Sequence, residues 1–193
     1  MLTRQKEEVK MEIDLDTWII SDTHLGHYNM VKLCGRPLNF NEKIMDNWYK
    51  NVQDEDKILH LGDLSIWFGP LRGMWLGMVS EFPGDKYLIL GNHDVEGKED
   101  YEWCGWTVVD PFTTEIDGLN ILFSHEPQAP DENWDINIHG HVHNNAHHDD
   151  YEFDWSGPEY VNMSVEVRNY KPWRLRDILE KQLSNVLEDH FAR

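Results

Sequence analysis

An α/β fold is what this sequence predicts, and three observations predict it. Five short apolar runs stand along the chain, each bounded by Gly, Asp or Asn. Helix-patterned segments separate the first three, as in folds that alternate strand and helix. Each run leads into aspartate, asparagine or histidine, so the polar chemistry collects at strand ends, where open α/β sheets place their sites.

Taken in order, TWII (17–20) leads into SDTH, KILHL (57–61) into GD, and KYLIL (86–90) into GNHD. NILF (120–123) leads into SH, and INI (136–138) into HGHVH. Short runs rich in Ile and Leu between turn residues read as buried strands. NEKIMDNWYKNV (41–52) sets Ile44, Trp48 and Val52 on one helical stripe. The stretch 66–80 is ambiguous, because Gly69, Pro70, Gly73 and Gly77 interrupt it. Asp117-Gly118, between TTEI and LNILF, is a hairpin turn signal. EYVNMSVEV (159–167) alternates like a half-buried strand. The closing stretch puts Leu175, Ile178, Leu179, Leu183, Val186, Leu187 and Phe191 on one face of an amphipathic helix. Without repeats, linkers or low-complexity segments, 193 residues read as one domain spanning 1–193, given roughly 150 residues per domain.

Charge narrows the function. Lys+Arg 17 against Asp+Glu 36 gives a formal net charge of -19, which repels long duplex nucleic acid. A small anionic substrate held by metal ions stays compatible with that charge, since a bound cation dominates its own site. Cys34 and Cys104 form no spaced pair, so neither a disulfide framework nor a cysteine zinc site is expected. The charged N-terminus has no apolar signal segment and no run spans a membrane. A soluble, cytoplasmic protein is the expectation, with its oligomeric state open.

The residues after the strands carry the chemistry. The first strand gives Asp22-x-His24, on one face by period-two alternation. The second gives Asp63, the third Asn92-His93-Asp94, the fourth His125, and the fifth His141-x-His143. Singly, an aspartate there caps a helix or turn, and a lone histidine is a hydrogen-bonded structural residue. Together they are oxygen and imidazole donors without a cysteine, a set suited to Mn, Fe, Zn, Ni or Mg. Seven ligands are too many for one ion and fit two that share a carboxylate.

In that order, D-x-H, G-D, G-N-H-D, a lone H and G-H-x-H resemble the signature of the calcineurin-like metallophosphoesterase superfamily. RPLNFNEKI (36–44), FPGDKYLILGNHD (82–94) and VNMSVEVRNYKP (161–172) are similar to its small, cap-free members. The resemblance implies a four-layer α/β/β/α sandwich with metals at one edge. It implies that Asp22, His24 and His143 hold one metal, that Asn92, His125 and His141 hold the other, and that Asp63 bridges. It also implies that His93 faces the substrate as general acid, with Asp94 behind it orienting the imidazole. The expected activity is hydrolysis of phosphoric esters, foremost phosphodiesters, by a hydroxide shared between two divalent ions, manganese first among them. A small phosphoester or nucleotide is the expected substrate. The alternative is a catalytically weak or inactive scaffold of the same fold that binds a protein partner; such proteins tend to lose a ligand or the acid histidine, and here all are present.

Secondary candidates follow. His27, three residues past His24, and Arg36, in GRPLNF, are candidate phosphate-binding residues. The competing reading is a helix-start role for His27 and a surface salt bridge for Arg36. His60 reads as a core residue or one backing the ligands, and a supporting role at the site is open to His139. His147 and His148 fall in an acidic loop, and Trp67 is close enough to the Gly62-Asp63 turn to stack on a base.

Overall fold

Side-chain alternation along three strands decides how the layers stack. The computed structural model describes residues 11–65, 69–94, 97–144 and 151–182. Trp67, His147, His148 and the closing segment from 183 lie outside them. β1 (Trp18–Ile20), β2 (Lys57–His60) and β3 (Asp85–Ile89) run parallel beside one another. Ile20, Ile58 and Leu88 point into one apolar cluster, while Ile19, Leu59 and Ile89 point into another. Strands buried on both faces need continuous apolar runs rather than alternating ones, which is why TWII, KILHL and KYLIL look as they do.

β4 (Thr107–Val109) and β9 (Trp173–Arg174) complete this sheet in the order β4-β3-β2-β1-β9, with β9 antiparallel to β1. A second sheet runs β5 (Phe112–Ile116), β6 (Leu119–Phe123), β7 (Ile136–His139), β8 (Tyr160–Asn162). β5 and β6 form the expected hairpin, with Asp117 and Gly118 at φ 52° and 82°, as a two-residue turn with two left-handed positions requires. Ile121, Phe123, Ile138 and Val161 of the second sheet meet Ile19, Leu59 and Ile89 of the first. The two sheets therefore pack face to face as an α/β sandwich.

Helices cover the other face of the first sheet. α1 (Met30–Leu33), α2 (Phe40–Asn51), α3 (Arg72–Ser80) and α4 (Lys98–Trp103) contribute Met30, Phe40, Ile44, Trp48, Trp75, Val79 and Tyr101 to that cluster. Trp48 is fully buried, with its ring 4.8 Å from Phe82 and 6.0 Å from Trp106. The ambiguous stretch 66–80 becomes helical from Arg72, past Gly69 and Pro70. The closing helix, described over 175–182, lends Leu175, Ile178 and Leu179 to the core between the sheets. Among the described residues no helix is long and apolar enough to cross a membrane.

EYVNMSVEV departs from its expected form. Pairing stops at Asn162, and 164–170 turns back over the strand ends, held by the bridge between Ser21 and Ser164. The polar members of the alternation are thereby turned toward the buried ends of β1 and β7 instead of solvent.

His60 shows how the strand ends are tied together. Its Nε2 lies 3.0 Å from the Thr23 hydroxyl, which itself donates to the Leu64 carbonyl at 2.6 Å. Nε2 therefore carries the proton, and Nδ1 accepts from the Gly62 amide at 3.1 Å. Burial holds the ring's pKa down to about 3, against the pull of Asp22 and Asp63. Between pH 6.5 and about 3 the unfolded chain binds a proton here that the folded chain refuses, so acid destabilises the fold through this group. Moving from pH 7 to pH 5 costs about 2 kcal/mol by this route. His60→Gln can keep both hydrogen bonds without titrating. In chelator, the melting temperature of this variant should fall several degrees less between pH 7 and pH 5 than that of the wild type. Parallel pH dependence in the two proteins would contradict the assignment.

Candidate metal centre

The strand ends after β1, β2, β3, β6 and β7 meet at one edge of the two sheets. Asp22, His24, Asp63, His141 and His143 have φ of 56°, 45°, 57°, 66° and 51°. Left-handed backbone at non-glycine residues costs roughly 1–3 kcal/mol each. Five such residues among the candidate ligands show that the turns serve the side chains they aim. Close approach also explains two glycines. A Cβ on Gly91 would run into the amide and carboxylate of Asp63, and one on Gly140 into Ser21 and the Asp22 carboxylate.

Asp63 sits at the centre. Its Oδ1 accepts the His93 amide at 3.0 Å, and its Oδ2 lies 3.3 Å from His24 Nε2 and 3.6 Å from His125 Nε2. Burial opposes its ionisation, but His24 and His125 hold the carboxyl well below the usual range. It is therefore a carboxylate. On one side Asp22, His24 and His143 have donor atoms within 4.8 Å of one another; on the other Asp63, His125 and His141 do.

The second group tests whether a cation fits. His125 donates Nδ1–H to the Leu61 carbonyl at 2.7 Å, so its Nε2 presents a lone pair. That nitrogen lies 3.1 Å from Asn92 Oδ1 and 3.1 Å from His141 Nδ1, which is itself 3.0 Å from Asn92 Oδ1. Three acceptor-capable atoms at mutual hydrogen-bond distance have at most one proton, on His141, to share. A divalent ion satisfies all three at once, and a neutral imidazole is the form that binds it. Burial, then the neighbouring His125, lowers the pKa of His141. The first group makes the same point: His24 is 3% exposed, its pKa lowered by burial, and Nε2 is left without a well-formed hydrogen bond.

Asp22 is fully buried. Both of its oxygens lie 3.0 Å from the His141 amide, and Oδ2 accepts the Ser164 hydroxyl at 2.9 Å. His143 places Nδ1 3.1 Å from Glu166 Oε1. Burial opposes its protonation, yet hydrogen bonds to Cys34 and Glu166 and the charge of Asp22 raise it to about 10. Without metal, an imidazolium stands in this acidic corner; metal binding at Nε2 must displace its proton.

The structure brings together all seven candidate ligands, with His93 and His27 at the rim. The His93 ring is exposed, 5.3 Å from the His24 ring and 6.2 Å from that of His27. His27 lies 5.5 Å from His24, and burial together with the charge on its neighbours lowers its pKa.

Two sequence expectations need correction. Asp94 does not orient His93. It is fully buried, and its oxygens accept the amides of Asp63 at 2.5 Å, Gly91 at 3.0 Å and Leu64 at 3.2 Å, plus the Tyr101 hydroxyl at 2.9 Å. Burial and the Asp63 charge push its pKa up to about 7, against those hydrogen bonds. It ties the loops after β2 and β3 together. Arg36 does not await a substrate phosphate either. It is 2% exposed and its donors are spent on the carbonyls of Thr23 and Asp22 and on Glu166. His139 is buried with its ring 6.0 Å from Tyr160 and 6.3 Å from Trp155, so it packs as a core residue. Glu166 was missed. It lies in the turn that follows Ser164, which the alternating pattern disguised as strand.

Comparison with known proteins agrees with this fold. The sequence model of the calcineurin-like phosphoesterase superfamily domain matches residues 15–162. An uncharacterized protein of Methanocaldococcus jannaschii is 33% identical over 173 residues, covering 85% of this chain and 89% of that protein. The Gene 66 protein of Mycobacterium phage L5 is 28% identical over 162 residues, covering 66% of this chain and 77% of its own length. A crystal structure of a protein of unknown function from Aquifex aeolicus superposes with a TM-score of 0.69 at 32% identity, covering 85% of this chain and 97% of that one.

The reassignment of Asp94 has a direct test. Asp94→Ala strands three buried amides, and should cost at least about 3 kcal/mol of unfolding free energy at about 1–3 kcal/mol per unpaired group. Tyr101→Phe, which removes one neutral donor, should cost about 1 kcal/mol. Chemical denaturation measures both. An Asp94→Ala protein of wild-type stability that is only slow would return Asp94 to the role of catalytic partner.

Proposed function

We propose that this chain, which belongs to the calcineurin-like phosphoesterase superfamily and is a metal-dependent phosphoric ester hydrolase, acts on phosphodiesters with two divalent cations, manganese foremost. The observation that carries the two-cation reading is the pair of donor groups on either side of Asp63. Asp22, His24 and His143 would hold one ion and Asn92, His125 and His141 the other, with Asp63 shared. When bound, such a pair supplies Lewis acidity toward phosphoryl oxygens and lowers the pKa of water.

This chain's own residues do the rest. Asp63, ionised and pinned by the His93 amide, holds a negative charge where it would be shared by both ions. His125, fixed by the Leu61 carbonyl, presents the correct nitrogen without rearrangement. His93, exposed at the rim, hands its proton to the departing alkoxide. His27, biased toward its neutral form, donates a hydrogen bond to a phosphoryl oxygen.

Charge favours the diester. With a formal net charge of -19, the field of the protein opposes a dianionic monoester more than a monoanionic diester. Asn92 and His93 are exposed, so this side of the site is open to a substrate that carries a second ester group. Bis(p-nitrophenyl) phosphate and p-nitrophenyl phosphate share a leaving group and differ in charge. With manganese, kcat/KM should be higher for the diester; a preference for the monoester would contradict the diester reading. Chelation should abolish activity, and manganese should restore it better than calcium, which prefers all-oxygen ligands.

His93→Ala separates acid from ligand. The variant should keep both ions and lose about 10²- to 10⁴-fold in rate on a dinucleotide diester. The loss should be smaller on a nitrophenyl ester, whose phenolate departs without a proton. Metal content and the two rate ratios decide it: a lost ion would make His93 a ligand, and equal losses would make it a phosphate-binding group.

A further inference from the structure

One buried ion pair contacts the backbone of Asp22 and Thr23 and the ring of His143, all at one candidate metal position. Arg36 and Glu166 are far apart in sequence, yet their side chains meet at 2.7 Å with 0% and 3% exposure. The guanidinium is held at a second edge by the chain itself, with NH1 2.7 Å from the Thr23 carbonyl and NH2 2.6 Å from the Asp22 carbonyl. The same Glu166 oxygen lies 3.1 Å from His143 Nδ1. Asp22, the residue between Asp22 and His24, and His143 are thus gripped by two side chains in contact. Arg36 also lies 5.0 Å from the centre of the Phe40 ring, so the pair is anchored to α2 and the core.

We propose that the Arg36–Glu166 pair is a positioning device for the Asp22–His24–His143 metal position, setting that position's affinity independently of the one formed by Asn92, His125 and His141. This rests on the two-cation reading above and adds to it an asymmetry between the ions. Glu166 accepts the Nδ1–H of His143, which leaves Nε2 as the ligating nitrogen and raises its basicity, as a carboxylate does behind a metal-bound histidine. Arg36 grips two successive carbonyls and so holds the turn that aims Asp22 and His24 at left-handed φ. The pair is neutral as a unit. Removing only the carboxylate would leave a guanidinium beside a cation and weaken that cation's binding. The Asn92–His125–His141 group is tied to this position through the His141 amide, which donates to the Asp22 carboxylate, but its other supports lie away from the ion pair: His125 leans on the Leu61 carbonyl, and the Asn92 loop on Asp94.

Calorimetric titration of metal-stripped, full-length protein with manganese reads both positions, and electron paramagnetic resonance distinguishes an isolated ion from a coupled pair. The wild type should take two ions. Glu166→Gln should bind one with wild-type affinity and the other about 10- to 100-fold more weakly, giving an isolated-ion spectrum at one equivalent. Arg36→Met combined with Glu166→Gln removes both buried charges together, avoiding an unpaired one, and should show the same selective loss if the single variant folds poorly. Unchanged affinities, or equal weakening of both ions, would overturn the proposal and leave the two-cation reading standing. A wild type that binds fewer than two ions would overturn both.

Discussion

The Asp63 carboxylate is the interaction on which the rest of the site depends. It stands where the central strand β2 ends, and each of its oxygens has a separate task. One is tied to the loop after β3 through the His93 amide; the other faces His24 from one strand end and His125 from another. Its own amide is clamped by Asp94. Displacing this one residue would uncouple three loops. The packing of the two sheets matters to function for the same reason, because His125 and His141 come from the second sheet and reach Asp63 only while the inter-sheet core is intact.

Without a cation this arrangement stores unfavourable energy. Five candidate ligands hold left-handed backbone, carboxylates are buried, and imidazole nitrogens face one another. The chain offsets part of that internally, through the charge on His143 and through the hydrogen bonds donated to Asp22 and Asp94. Two bound divalent ions would relieve the remainder by satisfying lone pairs that have no proton to share. Metal affinity and fold stability at this edge are therefore two views of one free energy.

The meeting of the candidate ligands at one edge was legible in the sequence and their supports were not. Asp22, Asp63, Asn92, His125 and His141 announce themselves because each comes two or three residues after an apolar run, and the ends of neighbouring parallel strands must share an edge. Asp94 was visible but misread. The family resemblance implied a hydrogen bond to the His93 ring, whereas the tight turn at Gly91 points Asp94 inward at amides of another loop. Arg36 and Glu166 depend on a contact across 130 residues, which no local pattern reports. Glu166 was hidden further, because the polar alternation of 159–167 serves a strand and an inward-facing turn equally well. The fold followed the same rule: strands with both faces buried were clear from composition, the interruption at Gly69 and Pro70 was visible, and the break at Asn162 appeared only once tertiary contacts were in place.

Anomalous diffraction from manganese-loaded crystals tests the central claim most directly. Two anomalous peaks are expected, about 3.5–4 Å apart as in two-metal sites, both within bonding distance of the Asp63 carboxylate, one beside His24 and His143 and the other beside Asn92, His125 and His141. A single peak at saturating manganese, or two peaks that do not share Asp63, would contradict it.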